Sequence, residues 1–217
     1  MACDCCCSDE SVALASLASE SHSARIRTLR NVGFRLLYET GEPASVDRIA
    51  QQTGWSIDVV EELLVSPETA GRVRRDDAGR LVGIAGLSIE PTAHEVRIGD
   101  RTFWTWCALD AVGIVAALKE TGAVFSTPPN GSGTLEIRFV DGASLSDESL
   151  FILGDFDAVN TVETWCPSVN FFASRQEATS WAEGHHLEGD VVSISQIAQS
   201  AEEMWRPVVT ELTPVNG

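Results

Sequence analysis

The chain has 217 residues, 44% hydrophobic and 22% charged, the balance of a soluble globular protein with room for a sizeable core. Its net charge of −17 argues against a fold that grips nucleic acid, which needs a clustered basic surface. No apolar run approaches the ~20 residues that span a bilayer, and the N-terminus has neither the basic nor the apolar stretch of a signal peptide. A cytoplasmic location is therefore expected.

Six cysteines stand at Cys3, Cys5, Cys6, Cys7, Cys107 and Cys166, four of them within the first seven residues. Secreted disulfide scaffolds disperse their cysteines, so free thiols in a reducing compartment fit better. Free thiols act as nucleophiles or bind soft metals.

Residues 1–21, rich in cysteine, serine and small residues, read as a flexible tail. Helical spacing begins near His22, with Ile26, Leu29, Val32, Leu36 and Leu37 on one face, and Gly41-Glu-Pro43 ends it. Ser45 and Ser56 fit the N-caps of two short helices separated by Thr53-Gly54-Trp55. Arg72–Asp76 and Arg80–Ile84 flank Asp77-Ala78-Gly79 as a hairpin. Three helices and a hairpin predict a winged-helix-like module over residues 22–90. Its one basic cluster, Arg72, Arg74 and Arg75, runs directly into Asp76 and Asp77, which suits a solvated turn better than a DNA-reading surface.

Ser88–His94, with Pro91, reads as a linker. Beyond it, strands are expected at Glu95–Ile98 and Phe103–Trp106, then an apolar helix over Ala108–Glu120 closed by Thr121-Gly122. Further strands are expected near Val124–Ser126, Thr134–Val140 and Ser149–Leu153, with Val162–Trp165 and Val169–Phe172 also extended. Ser174 with Glu177 resembles a capping box, opening a helix through Glu183. A last strand at Val191–Ile194 and a last helix at Ser195–Trp205, ahead of Pro207, complete the pattern. The whole reads as α+β: the N-terminal winged-helix-like three-helix module with its β-hairpin, then a mixed or antiparallel-sheet catalytic domain with flanking helices over residues 91–217.

Several motifs carry little. Gly131-Ser-Gly133 leads into a strand, so it is no phosphate cradle. His185-His186 reads as exposed loop histidines, and Asp155 with Asp157 as a solvated acidic turn.

The chemistry concentrates in two segments. In Trp106-Cys107-Ala-Leu-Asp110 the cysteine opens the apolar helix, where unpaired N–H groups favour thiolate and are expected to lower its pKa. Asp110, three residues on, shares its helix face, placing a proton carrier beside a metal-binding nucleophile. Alone, this pair is a weak signal and fits better a buried, inert cysteine beside a first-turn aspartate. In Trp165-Cys166-Pro167 the proline biases Cys166 to an extended backbone at a strand end or loop, although a buried β cysteine fits too.

Taken together, Arg101–Asp110, Asn160–Ser174 and Gly189–Ser193 resemble the alkylmercury (organomercurial) lyase family, in a likeness running from about His22 to about Trp205. Trp-Cys-Ala-Leu-Asp is quite specific, and the later Cys followed by Val-Asn-Phe-Phe-Ala-Ser supports it in the right order. The family's fold also carries a winged helix ahead of its catalytic domain. The resemblance implies a lyase that cleaves carbon–mercury bonds in mercury detoxification. Cys107 and Cys166 would be its two mercury ligands and Asp110 its catalytic carboxylate. Some relatives carry a further cysteine after the catalytic helix, where this chain reads Ser126-Thr-Pro-Pro129, and some a second cysteine where it has Pro167.

Such chemistry needs thiolates to load electron density onto mercury and an acid to protonate the leaving carbon. No organic cofactor is required, with external thiols expected to support turnover. The partners implied are organomercurial small molecules, with mercuric reductase or cellular thiols accepting Hg(II), and neither nucleic acid nor membrane. Trp106 and Trp165 fit an apolar pocket wall or simply core, and Cys3, Cys5, Cys6 and Cys7 either accessory mercury binding or an incidental tail. Two other functions compete: a winged-helix metal-responsive transcriptional regulator, and a non-catalytic mercury-sequestering protein.

Overall fold

The computed structural model describes the backbone of residues 9–154 and 161–210, and side chains from residue 22 onward within those ranges. The N-terminal cysteines Cys3, Cys5, Cys6 and Cys7, like Asp155 and Asp157, lie outside the described residues.

Helix α1 spans Asp9–Thr40, so helix begins well ahead of the expected start near His22. Acidic residues open it and alanine and leucine recur through its first half, a composition that favours helix. Short helices α2 (Val46–Thr53) and α3 (Ile57–Leu64) follow, each capped as expected by a serine hydroxyl, Ser45 for Arg48 N–H and Ser56 for Val59 N–H. A single turn, α4 (Pro67–Ala70), leads into the hairpin β1 (Val73–Arg75) and β2 (Leu81–Ile84).

This hairpin does not stand apart. Through β3 (Leu87–Ser88), β2 joins β5 (Arg101–Thr105) and β4 (His94–Ile98), then β6 (Gly122–Ser126), β7 (Leu135–Val140) and β8 (Ala143–Ser144), in one eight-stranded antiparallel sheet ordered β1-β2-β3-β5-β4-β6-β7-β8. The expected linker after Ser88 is thus a short connection within the sheet, and its ends, Ser88 and His94, are buried. One apolar cluster runs from Leu29 in α1 to Val209 near the chain's end.

At the centre lies α5 (Ala108–Leu118), in which every residue from Ala108 to Ala116 is buried. A helix apolar all round has to be covered on all sides. The sheet covers it through β4 and β5, and α7 (Ile194–Val209) runs along it opposite. The helix ends at Lys119, which takes the left-handed conformation (φ 56°) that the sequence suggested for Thr121-Gly122; Gly122 already belongs to β6.

A second sheet of three antiparallel strands, β10 (Phe171–Phe172), β9 (Ser149–Leu153) and β11 (Gly189–Ser193), carries α6 (Arg175–Gly184) against it. Pro207 lies inside α7 instead of beyond it, and the helix runs on to Val209 because Val208 and Val209 are buried against the core. Val162–Trp165 is not extended: Thr161–Trp165 forms a π-helical turn and Cys166–Ser168 a 3-10 turn. Pro167 has no N–H to lose in the first turn of a helix, so it starts the tight turn that holds Cys166.

Candidate active site

Strand β5 ends at Thr105, and two residues later Cys107 caps α5. The cap is a capping box built from cysteine and aspartate. Asp110 N–H donates to Cys107 Sγ at 3.5 Å, and Cys107 N–H donates to Asp110 Oδ2 at 3.0 Å. The Cys107 thiol donates to the same Oδ2 at 3.0 Å, so the i, i+3 spacing puts thiol and carboxyl in direct contact.

Cys166 arrives from far along the chain by a backbone dock. The N–H of Ala108, in the first turn of α5, has no partner within the helix and donates to Val169 O at 2.9 Å. Val169 N–H in turn donates to Cys166 O at 3.0 Å, and buried Asn170 closes the turn by donating from Nδ2 to Pro167 O at 2.7 Å. The result is a cluster in which one ligand atom each from Cys107, Asp110 and Cys166 lies within 4.8 Å of the others. Among the described residues, no other group of three His, Cys, Asp or Glu side chains could share a metal in this way. All three are buried, at 0%, 6% and 2% exposure.

Burial overturns the expected thiolate. The Cys107 thiol is pushed well above its ordinary value, first by loss of water and then by the neighbouring Cys166 and Asp110. The helix N-terminus does not offset that desolvation. Asp110 is also raised, to about 6, because burial outweighs its hydrogen bonds from Cys107 and the positive charge of Arg30 in α1. A protonated thiol therefore points at a carboxylate whose proton affinity has been lifted toward its own.

Across the sheet beside this site, Thr105, His94 and Ser126 stand in register on β5, β4 and β6, all buried. Thr105 Oγ1 donates to Cys107 O at 3.1 Å, and His94 Nδ1 lies 2.8 Å from Ser126 Oγ. Sequence reasoning did not single out His94, which burial holds neutral by lowering its pKa to about 4. Trp165 is buried, and its indole N–H donates to Leu153 O at 3.2 Å. Trp106 is half-buried, with its indole against Gly83. His185 is exposed, and its ring lies 4.8 Å from that of Trp181.

A residue that the sequence did not flag packs against the carboxyl, and a second holds the turn that carries it. Gly86, in the β2–β3 turn, faces Asp110 so tightly that a Cβ there would lie 2.3 Å from Oδ1. Trp205 of α7 packs closely against Gly113 of α5 and donates its indole N–H to Ala85 O at 2.8 Å. A two-residue Ala-Gly step between two apolar runs was the available signal for this turn.

Fold and site together define an α+β protein with a buried dithiol and carboxyl, a donor set suited to a soft metal ion that must be handled alongside a proton. The family model of alkylmercury lyase (MerB) matches residues 87–206. The alkylmercury lyase of Staphylococcus epidermidis is 30% identical over 185 residues, covering 82% of this chain and 81% of its own. That of Streptomyces lividans is 29% identical over 184 residues, covering 82% of each. The chain belongs to the alkylmercury lyase family. Its fold matches the crystal structure of the mercury-bound form of MerB2 with a TM-score of 0.74, at 23% identity, over 85% of this chain and 90% of that one.

Proposed function

We propose that this protein splits the carbon–mercury bond of organomercurials by protonolysis, with Cys107 and Cys166 as mercury ligands and Asp110 as proton carrier. The observation that carries the reading is the cluster itself: two sulfurs and a carboxyl oxygen within 4.8 Å, secluded from water.

The chemistry follows from the hydrogen bonds. An organomercurial cation R–Hg⁺, carried by an external thiolate, passes to the Cys166 sulfur while the displaced thiolate leaves with the Cys166 proton. As Cys107 then reaches the metal, coordination acidifies its thiol, which burial had kept protonated. Asp110 Oδ2, already accepting from Cys107 Sγ at 3.0 Å, takes the proton released when the second sulfur joins the metal. With two thiolates on mercury, electron density builds on the metal and its bond to carbon weakens. The carboxylic acid then protonates the carbon, which keeps the C–Hg electron pair and leaves as R–H. Hg(II) remains on the two sulfurs. No change of oxidation state occurs and no organic cofactor takes part.

Trp106 and Trp165, flanking the cysteines in sequence, are proposed as apolar walls for the organic group. External thiols would extract Hg(II), passing it to cellular thiols or a mercuric reductase, and a reducing cytoplasm suits such exchange. Cys3, Cys5, Cys6 and Cys7 would supply accessory mercury binding. We read residues 22–90 as a winged-helix-like structural module and 91–217 as the catalytic part, after a tail over 1–21 whose residues from Asp9 onward already belong to α1. Helix α3, in the place of a recognition helix, carries Asp58, Glu61 and Glu62 and no cation, and Arg75 is engaged by Glu61 at 2.8 and 2.9 Å. That charge pattern disfavours a DNA-binding regulator.

Incubation with phenylmercury and excess thiol tests the reading. Stoichiometric benzene and Hg(II) are expected; tight mercury uptake with no benzene would leave only a sequestering protein.

A further inference from the structure

The carboxyl of Asp110 is held from two sides. Oδ2 takes both hydrogen bonds from Cys107, while Oδ1 faces the backbone of Gly86. A Cβ at residue 86 would lie 2.3 Å from Oδ1 and 2.5 Å from Cγ, so only glycine allows the carboxyl to sit where it does. The turn that brings this glycine in is itself unusual. Ala85 and Gly86 both have positive φ, 54° and 84°, a region that alanine seldom adopts because its Cβ meets the following carbonyl oxygen. Such a conformation persists only when its surroundings hold it.

Two bonds hold it. Trp106 N–H donates to Gly86 O at 3.0 Å, tying the turn to the residue before Cys107. Trp205 Nε1–H donates to Ala85 O at 2.8 Å. The Trp205 ring is seated in a notch made by Gly113, where a Cβ would lie 2.1 Å from its Cε3. Gly113 is three residues beyond Asp110 on the same helix, so the ring, the turn and the carboxyl are referred to one rigid element.

We propose that the Ala85–Gly86 turn, fastened by Trp205, is the seat that aims the Asp110 carboxyl at the Cys107 thiol, with Gly86 and Trp205 as positioning residues for the proton transfer. The proposal rests on the lyase reading with Asp110 as proton carrier. It assigns the N-terminal part of the chain a direct bearing on the chemistry, since the β2–β3 turn comes from the hairpin side of the large sheet. Neither residue touches the organomercurial; each acts through Asp110.

The test uses the full chain and phenylmercury as probe, measuring retention of the mercurial and single-turnover benzene release. Trp205→Phe keeps an aromatic ring beside Gly113 and removes the donor to Ala85 along with part of the ring's bulk. It should bind phenylmercury as the wild type does and release benzene about tenfold more slowly, because small misplacements of a reacting group are costly. Gly86→Ala should bind equally and release roughly 10²-fold more slowly. If Gly86→Ala does not fold, Trp205→Phe decides alone. Wild-type release from Trp205→Phe, beside slow release from Asp110→Asn, overturns the seat and leaves the lyase reading standing. A loss of binding in step with the loss of rate also overturns it, since the tryptophan would then be general packing. Wild-type release from Asp110→Asn overturns the reading and the seat together.

Discussion

Cys107 stands at the first turn of a regular helix buried from Ala108 to Ala116, whereas Cys166 stands in a run of π-helical and 3-10 turns between β9 and β10. The first is placed by local geometry, through a capping box that needs only four consecutive residues. The second is placed by backbone bonds to distant elements, among them Ala108 N–H to Val169 O and Val162 N–H to Gly71 O, and by the side chain of Asn170. One ligand is thus prepositioned with its proton acceptor, and the other is delivered by an irregular segment. The contrast suits a site in which Cys166 captures the metal and Cys107, already beside its proton acceptor, closes around it.

Removing either sulfur should have the most severe effect. Cys107→Ser and Cys166→Ser should each abolish benzene release from phenylmercury, since a hydroxyl does not replace a thiolate on a soft metal. Measurable steady-state turnover from either variant would contradict the two-ligand account.

The next effect concerns stability and acts oppositely at two buried groups. His94 has a folded pKa of about 4, below its ordinary 6.5, so the unfolded chain binds the extra proton between those values. Its burial therefore destabilises the fold as pH falls through that window, by up to about 3 kcal/mol. Asp110, raised to about 6 from an ordinary 3.8, binds its proton more tightly when folded, so its contribution grows as pH falls through about 6 toward 4. The two slopes oppose each other in the wild type. Chemical denaturation between pH 6.5 and 4 should show Asp110→Asn losing stability on acidification relative to wild type, and His94→Gln gaining it. Parallel curves for all three would show that neither group is buried as described.

A smaller effect separates the two roles of Cys107. As N-cap, its sulfur accepts from Asp110 N–H at 3.5 Å, and serine is a better cap. Cys107→Ser should hold or raise the melting temperature while Cys107→Ala costs about 1 kcal/mol, so activity and stability part company at one residue. The smallest expected effect is on DNA: retention on a duplex at low salt should be negligible, and tight, salt-sensitive binding would overturn the structural role proposed for the N-terminal helices.

What the sequence made legible follows the same division. The Cys107–Asp110 contact was readable because i, i+3 spacing is local, and strands β4 and β5 emerged within a residue or two of where alternation put them. The nearness of Cys166 came from family resemblance alone, since no pattern within its own segment points to Ala108. The helical turns around it were misread as extended because Pro167 was taken as a breaker when it opens a turn. The thiol's protonation was misjudged because burial depends on α7 and the sheet, which spacing does not reveal. Gly86 and Trp205 stayed hidden for the same reason: their partner lies across the core, and a glycine's empty side tells nothing until the structure shows what fills it.

The account stands or falls on Asp110. Asp110→Asn keeps the shape of the carboxyl but cannot accept a thiol proton and return it. The direct measurement is single-turnover benzene release from the preformed complex of Asp110→Asn with phenylmercury, beside the stoichiometry of mercury retained. The account predicts normal retention through Cys107 and Cys166, with release slowed by about 10²–10⁴-fold, the usual worth of a general acid–base group. Release at close to the wild-type rate would contradict it and leave the proton that reaches carbon to come from elsewhere.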